Sequence, residues 1–168
     1  MLDLKHRSGF TLVELAITLA ILAILATLGL PSFLGMLESG RIKAAASGFS
    51  MGLQRARAEA ISRGQAIRFE PNGAGWSIVR QEPDGTRVVI DSKSSAESGG
   101  AEIAVSASTV VEFNSLGRTT APVIFNFSGP SGCGGEPRCL RVRVFTSGQV
   151  RLCDPAVTDT TDTRSCGS

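Results

Sequence analysis

The chain has 168 residues, 42% of them hydrophobic and 19% charged, with a formal net charge of +2 at pH 7. That length fits one domain plus an additional segment, and so small a charge gives no bulk attraction to nucleic acid. A single histidine, His6, ahead of the first apolar run leaves no imidazole beyond it for a Ser-His or Cys-His pair or a mixed Cys/His zinc site. Arginine outnumbers lysine fourteen to three, so the placement of charge carries more information than its sum.

The first element is apolar. Ser8-Gly9-Phe10-Thr11-Leu12-Val13-Glu14 places one acid in the first turn of a run that has no charged residue from Leu15 to Leu37. Roughly 23 residues are enough for a helix to cross a bilayer core. Glu14 would lie near one membrane end of that helix, where an unpaired charge costs roughly a few kcal/mol. A positive charge at the same depth would offset that cost, and a free amine on Phe10 would supply one if the chain were cut after Gly9. Lys5 and Arg7 ahead of the run predict a cytoplasmic N-terminus.

Beyond Leu37 the pattern predicts that the helix continues. Ile42, Ala46, Phe49, Leu53, Ala56 and Ala60 recur at spacings of four and three, one face of an amphipathic helix. Arg55, Glu59 and Arg63 form an i, i+4 ladder away from that stripe and read as a solvated face. Ser39-Gly40 and Gly48 lower helix propensity and admit local bending. A helix over residues 10 to about 63 would be about 80 Å long.

After Gly64 the signals are those of short strands. Residues 66–69, 76–80 and 86–90 are β-like, with Asn72-Gly73 and Asp84-Gly85 as hairpin signals. Residues 91–100 read as a loop. Strand patterns resume at residues 103–105, 110–113, 123–127, 140–145 and 149–152. In the last hairpin, turning near Ser147-Gly148, Val142, Val144, Val150 and Leu152 share one face and Arg141, Arg143 and Arg151 the other. The expected class is α+β: one long helix packed against antiparallel sheet.

The cysteines, Cys133, Cys139, Cys153 and Cys166, all fall in the last third. Outside the cytoplasm they would form disulfides, with three possible connectivities. Arg138, Arg141, Arg143 and Arg151 have no acid between the first and the last, and guanidinium suits phosphate. The alternative for that cluster is a hairpin face exposed to solvent or to another subunit. Glu82 with Asp84 sits in a turn, and Gly132-Cys133-Gly134-Gly135 lacks the strand-to-helix context of a phosphate loop. No catalytic residue, metal site, cofactor or small-molecule substrate is expected.

The Gly9–Glu14 junction resembles the class III signal of the type IV pilin superfamily. Leu53-Gln54-Arg55-Ala56-Arg57-Ala58-Glu59-Ala60-Ile61 followed by a strand, Val111-Glu112-Phe113 with Gly117-Arg118, and Ser147 to Cys153 resemble its GspH/FimT branch. The resemblance implies a type IV pilin-like fold, with a leader at 1–9, a helix at 10–63 that crosses the membrane at about 10–37, and a periplasmic β-rich domain at 64–168. It implies cleavage between Gly9 and Phe10 by prepilin peptidase, N-methylation of Phe10, and guidance of assembly by Glu14, with Pro31 where pilins commonly kink. The protein would be a single-pass protein of the bacterial inner membrane that joins a fibre of major and minor pilins or pseudopilins. Its role would be to prime or cap a type IV pilus, or alternatively to serve a type II secretion pseudopilus.

A further alternative is DNA reception in natural transformation, since some FimT-type members bind DNA through a Gly-Arg-x-Arg motif. The corresponding stretch here is Gly148-Gln149-Val150-Arg151, with Gln in place of the first arginine, and Asp154, Asp159 and Asp162 make the tail locally negative. For the cysteines, FimU-like minor pilins imply a bridge from Cys133 to Cys166, leaving Cys139 with Cys153 to cross-link the final hairpin. The other pairing considered is Cys133–Cys139 with Cys153–Cys166.

Overall fold

A computed structural model describes residues 11–98, 104–106, 109–133 and 138–167, leaving out the side chains of 28–32. Helix α1, Leu12–Arg63, opens on Thr11, whose hydroxyl oxygen accepts the Glu14 backbone N–H at 3.2 Å. Thr11 and Glu14 thus hold the spacing of a capping box, and the carboxylate lies in the turn where the helix dipole favours negative charge. The chain divides into two compact units, one ending at Gly35 and one beginning at Met36.

In the first unit the helix is apolar on every side. Each large apolar residue from Leu12 to Leu25 is more than half exposed. Pro31 falls inside α1.

In the second unit the amphipathic stripe is the core. Ile42, Ala45, Ala46, Phe49, Leu53, Ala56 and Ala60 are wholly buried, as the spacing predicts. The described residues also form eight antiparallel-paired strands, β1 Ile67–Asn72, β2 Gly75–Gln81, β3 Arg87–Lys93, β4 Ala104–Val105, β5 Val111–Phe113, β6 Val123–Ser128, β7 Leu140–Val144 and β8 Val150–Cys153, whose buried residues share one core with that stripe. These form two four-stranded sheets, ordered β3-β2-β1-β5 and β4-β6-β7-β8. Phe49 joins both to the helix, with its ring edge-on to Phe69 of β1 at 5.4 Å and to Phe125 and Phe127 of β6 at 5.5 and 5.0 Å. At Gly52 a Cβ would fall 2.7 Å from the Trp76 indole and 2.9 Å from the Phe69 ring, so only glycine lets the β1–β2 hairpin come this close.

Two local expectations change. Residues 91–93 extend β3, and a short 3-10 turn, Ala96–Ser98, follows where a loop was expected. Arg55 is not merely solvated, because its guanidinium lies 2.7 Å from the Asp91 carboxylate of β3. Leu152 shares the face of Val142 and Val144, as the alternation predicts, and is 36% exposed. It lies on β8, the outermost strand of its sheet, where no further strand covers it.

The disulfides are Cys133–Cys139 and Cys153–Cys166, not Cys133–Cys166 with Cys139–Cys153. The hairpin register gives the reason. Cys153 stands opposite Arg141, two residues along the chain from Cys139, which immediately precedes β7. A diagonal offset of that kind separates Cα atoms by about 7–8 Å, beyond the usual reach of a disulfide. The observed bridges join Cα atoms 5.3 and 4.9 Å apart.

Candidate assembly segment and arginine hairpin

Gly9 and Phe10 lie outside the described residues. Glu14 is described, exposed in the first turn of α1 at the head of the apolar surface. Among the described residues no helix is long and apolar enough to cross a membrane. What the segment presents is an apolar exterior with one carboxylate at its start. In water such an exposed apolar surface is unfavourable.

The second candidate is the hairpin β7–β8. Its register sets Arg143 directly opposite Arg151, with Arg141 two residues away on the same side. Like charges facing each other across two strands repel unless other groups take up their donors. The chain's own C-terminal tail does so. Arg143 donates to the carbonyl of Cys166 at 2.5 Å and to that of Gly167, and its guanidinium lies 5.1 Å from the centre of the Phe145 ring. Arg151 donates to the Thr163 carbonyl at 3.3 Å, and Arg141 to the Asn126 side chain at 2.6 Å. Arg138 stands apart from the face: it is 63% exposed, with its guanidinium 3.9 Å from the Asp154 carboxylate.

The tail that receives these donors is itself ordered. Cys153–Cys166 tethers it to the end of β8, and the Asp154 N–H donates to the Arg164 carbonyl at 2.8 Å. Asp162 accepts from the Arg164 guanidinium at 2.7 Å and from its backbone N–H at 2.8 Å. Those two bonds, the side-chain one first, hold the Asp162 carboxyl down to about 2. Asp159 is lowered in the same way by the Thr161 hydroxyl and N–H. Arginine type and strand alternation reveal the shared face in the sequence, but the acceptors are backbone carbonyls, which carry no sequence signal.

Sequence reasoning also passed over a contact that fixes the arginine hairpin to the helix. The turns at Gly117 and Gly148 meet, both glycines having positive φ, 69° and 78°. A Cβ on Gly148 would overlap the Gly117 carbonyl oxygen, and one on Gly117 would strike Ile61. Arg57 closes the junction by donating Nε–H to the Gly117 carbonyl at 3.2 Å.

Among the described residues no group of three or more His, Cys, Asp or Glu side chains is arranged to hold a metal ion.

Residues 4–30 match the prokaryotic N-terminal methylation motif, and residues 45–162 match the family of type II transport protein GspH. The fold resembles the crystal structure of the type IV minor pilin FimU of Pseudomonas aeruginosa, with a TM-score of 0.58 at 17% identity over 73% of this chain and 95% of that one. It also resembles the minor pseudopilin EpsH from the type 2 secretion system of Vibrio cholerae, with a TM-score of 0.55 at 17% identity over 70% of this chain and 99% of that one. No curated protein sequence matches. A helix that begins in a methylation motif, its buried stripe closed under two antiparallel sheets, and a GspH match over most of that second unit together place the chain in the GspH family of pilin-like proteins.

Proposed function

We propose that this protein is a minor pilin, a structural and non-catalytic subunit that primes or caps a type IV pilus. The observation that carries the reading is the pairing of an all-round apolar helix, headed by a single exposed carboxylate, with a methylation motif over residues 4–30. In this reading prepilin peptidase cuts between Gly9 and Phe10, and the Phe10 amine is methylated. Residues 10–37 hold the chain in the inner membrane, with residues 64–168 in the periplasm. On extraction into the fibre, lipid is exchanged for the apolar helices of other subunits. Glu14 then meets the Phe10 amine of a neighbour, an attraction strengthened where water is excluded.

The observed cap at Thr11 engages the Glu14 backbone N–H, so the charge of the Glu14 side chain can be varied without removing that bond. Glutamine keeps a side chain able to serve the capping box and loses the charge, whereas alanine loses both. Glu14→Gln and Glu14→Ala should both be cleaved and methylated normally, and both should be absent from sheared fibres. Incorporation of Glu14→Gln at the wild-type level would sink the charge-pairing mechanism. The same parts would serve a type II secretion pseudopilus. Deleting the gene separates the two machines: loss of surface pili supports the first, and retained pili with loss of protein secretion the second.

A further inference from the structure

The last hairpin does not bury all of its apolar face. Leu140 and Leu152 alternate onto the same side as the fully buried Val142 and Val144, yet they line an open cleft of about 270 Å³. Lys43 of α1 and Arg138 reach its edge, and the tail residues Thr163 and Arg164 form a wall. The floor is apolar, and three cations, Lys43, Arg138 and Arg164, outnumber the one carboxylate of the lining, Asp154. Arg164 is neutralised by Asp162, but Lys43 has no ion-pair partner among the described residues. Arg138 is mostly exposed, and Asp154 lies 3.9 Å from it, the outer limit of an ion pair.

The walls are held in place. Cys153–Cys166 fixes the tail, Arg151 takes the Thr163 carbonyl, and Cys133–Cys139 anchors the residue beside Arg138. A cleft held open by two disulfides loses little conformational freedom when it is filled. An occupant that suits it has one apolar side chain for the leucines and a carboxylate for the two cations.

We propose that this cleft docks a short acidic-apolar peptide segment of a neighbouring subunit, with its apolar side chain on Leu140 and Leu152 and its carboxylate taken by Lys43 and Arg138. Only the source of the segment rests on the assembly reading. Peptide binding is measured on the isolated chain and fibre incorporation in cells, so either can fail without the other.

The test is an NMR titration of the full-length labelled protein in detergent micelles. The probe is the blocked tetrapeptide Asp-Leu-Phe-Glu, run beside Lys-Leu-Phe-Lys, Asp-Ser-Gly-Glu and octanoate. Saturable shifts at Leu140, Leu152 and Lys43 are expected with the first peptide alone. Leu152→Ser, and Lys43→Glu with Arg138→Glu, should each weaken it at least about tenfold, as loss of an anchor or of complementary charge does. Cys153→Ser with Cys166→Ser should also weaken it while the β1–β2 resonances stay in place, which separates a displaced wall from a failed fold. Equal binding of the lysine peptide or of the Ser-Gly peptide would overturn the proposal. So would a response to octanoate alone, or no shift at millimolar peptide.

Discussion

Arg57, on the helix, donates its Nε–H to the carbonyl of Gly117, a residue sixty positions later in the chain, across a distance of 3.2 Å. The Gly117 carbonyl is also what a side chain at Gly148 would strike. One carbonyl therefore joins three parts of the fold: the helix, the turn after β5, and the β7–β8 turn that presents the arginines. Gly148→Ala adds a Cβ where backbone is already in contact, at a φ of 78° that L residues seldom adopt. It should cost about 3 kcal/mol or more, read as a fall in the urea midpoint at unchanged m value. Arg57→Ala removes one charge-assisted bond and should cost about 1.5–3 kcal/mol. Equal stability of Gly148→Ala and wild type would mean that the two turns do not meet.

The two bridges differ in what they restrain. Cys133–Cys139 spans six residues of a turn region, whereas Cys153–Cys166 spans thirteen and holds a tail with little apolar surface. Non-reducing peptide mapping should recover those two pairs, and a Cys139–Cys153 peptide would contradict the fold at β7–β8. Replacing Cys153 and Cys166 by serine should lower stability by about 3 kcal/mol on chain-entropy grounds. Amide exchange should then speed up over the tail before it does so in β1 and β2.

Periodic signals were legible in the sequence, and contacts between distant segments were not. Ile42 through Ala60 announce a buried face because side chains on a helix return every 3.6 residues. Asn72-Gly73 and Asp84-Gly85 announce hairpins because glycine accepts the positive φ of a tight turn, here 58° at Gly73 and 86° at Gly85. The Gly117–Gly148 contact has no comparable signature. It lies between turns more than thirty residues apart, and its partners are a backbone carbonyl and an arginine that the helix pattern leaves on the surface. Cystine pairing failed for a related reason. It depends on strand register, and a shift of two residues decides whether Cys139 or Cys166 comes within reach of Cys153. The Gly9–Phe10 junction was read from sequence and lies outside the described residues.

Asp162 ties the order of the tail to pH. Its carboxyl is held at about 2, below the ordinary 3.8, by the Arg164 side chain and then by the Arg164 N–H. A lowered folded value stabilises the folded tail above the unfolded pKa and is lost as pH falls through the folded one. Protection of the Arg164 and Ser165 amides should therefore be constant from neutrality down to about pH 4 and fall between about pH 4 and 2. Asp162→Asn should flatten that profile while leaving the cystine intact. An unchanged profile would remove Asp162 as the cause.

Arg141, Arg143 and Arg151 have the composition of a phosphate-binding face, yet each has a donor engaged within the chain. The acceptors are neutral, so the positive charge remains, but the donors that would grip phosphate are turned toward the tail and Asn126. A polyanion would have to displace a strap tethered by Cys153–Cys166 while meeting Asp154, Asp159 and Asp162 nearby in the chain. The expected result is no salt-sensitive binding of the full-length protein in micelles to a labelled DNA duplex at low ionic strength. Arg141→Ala/Arg143→Ala/Arg151→Ala should then differ from wild type in tail protection and not in DNA retention. Affinity that falls linearly on a log–log plot against salt, and that is lost in this triple variant, would show counterion release at the face and reverse the assignment.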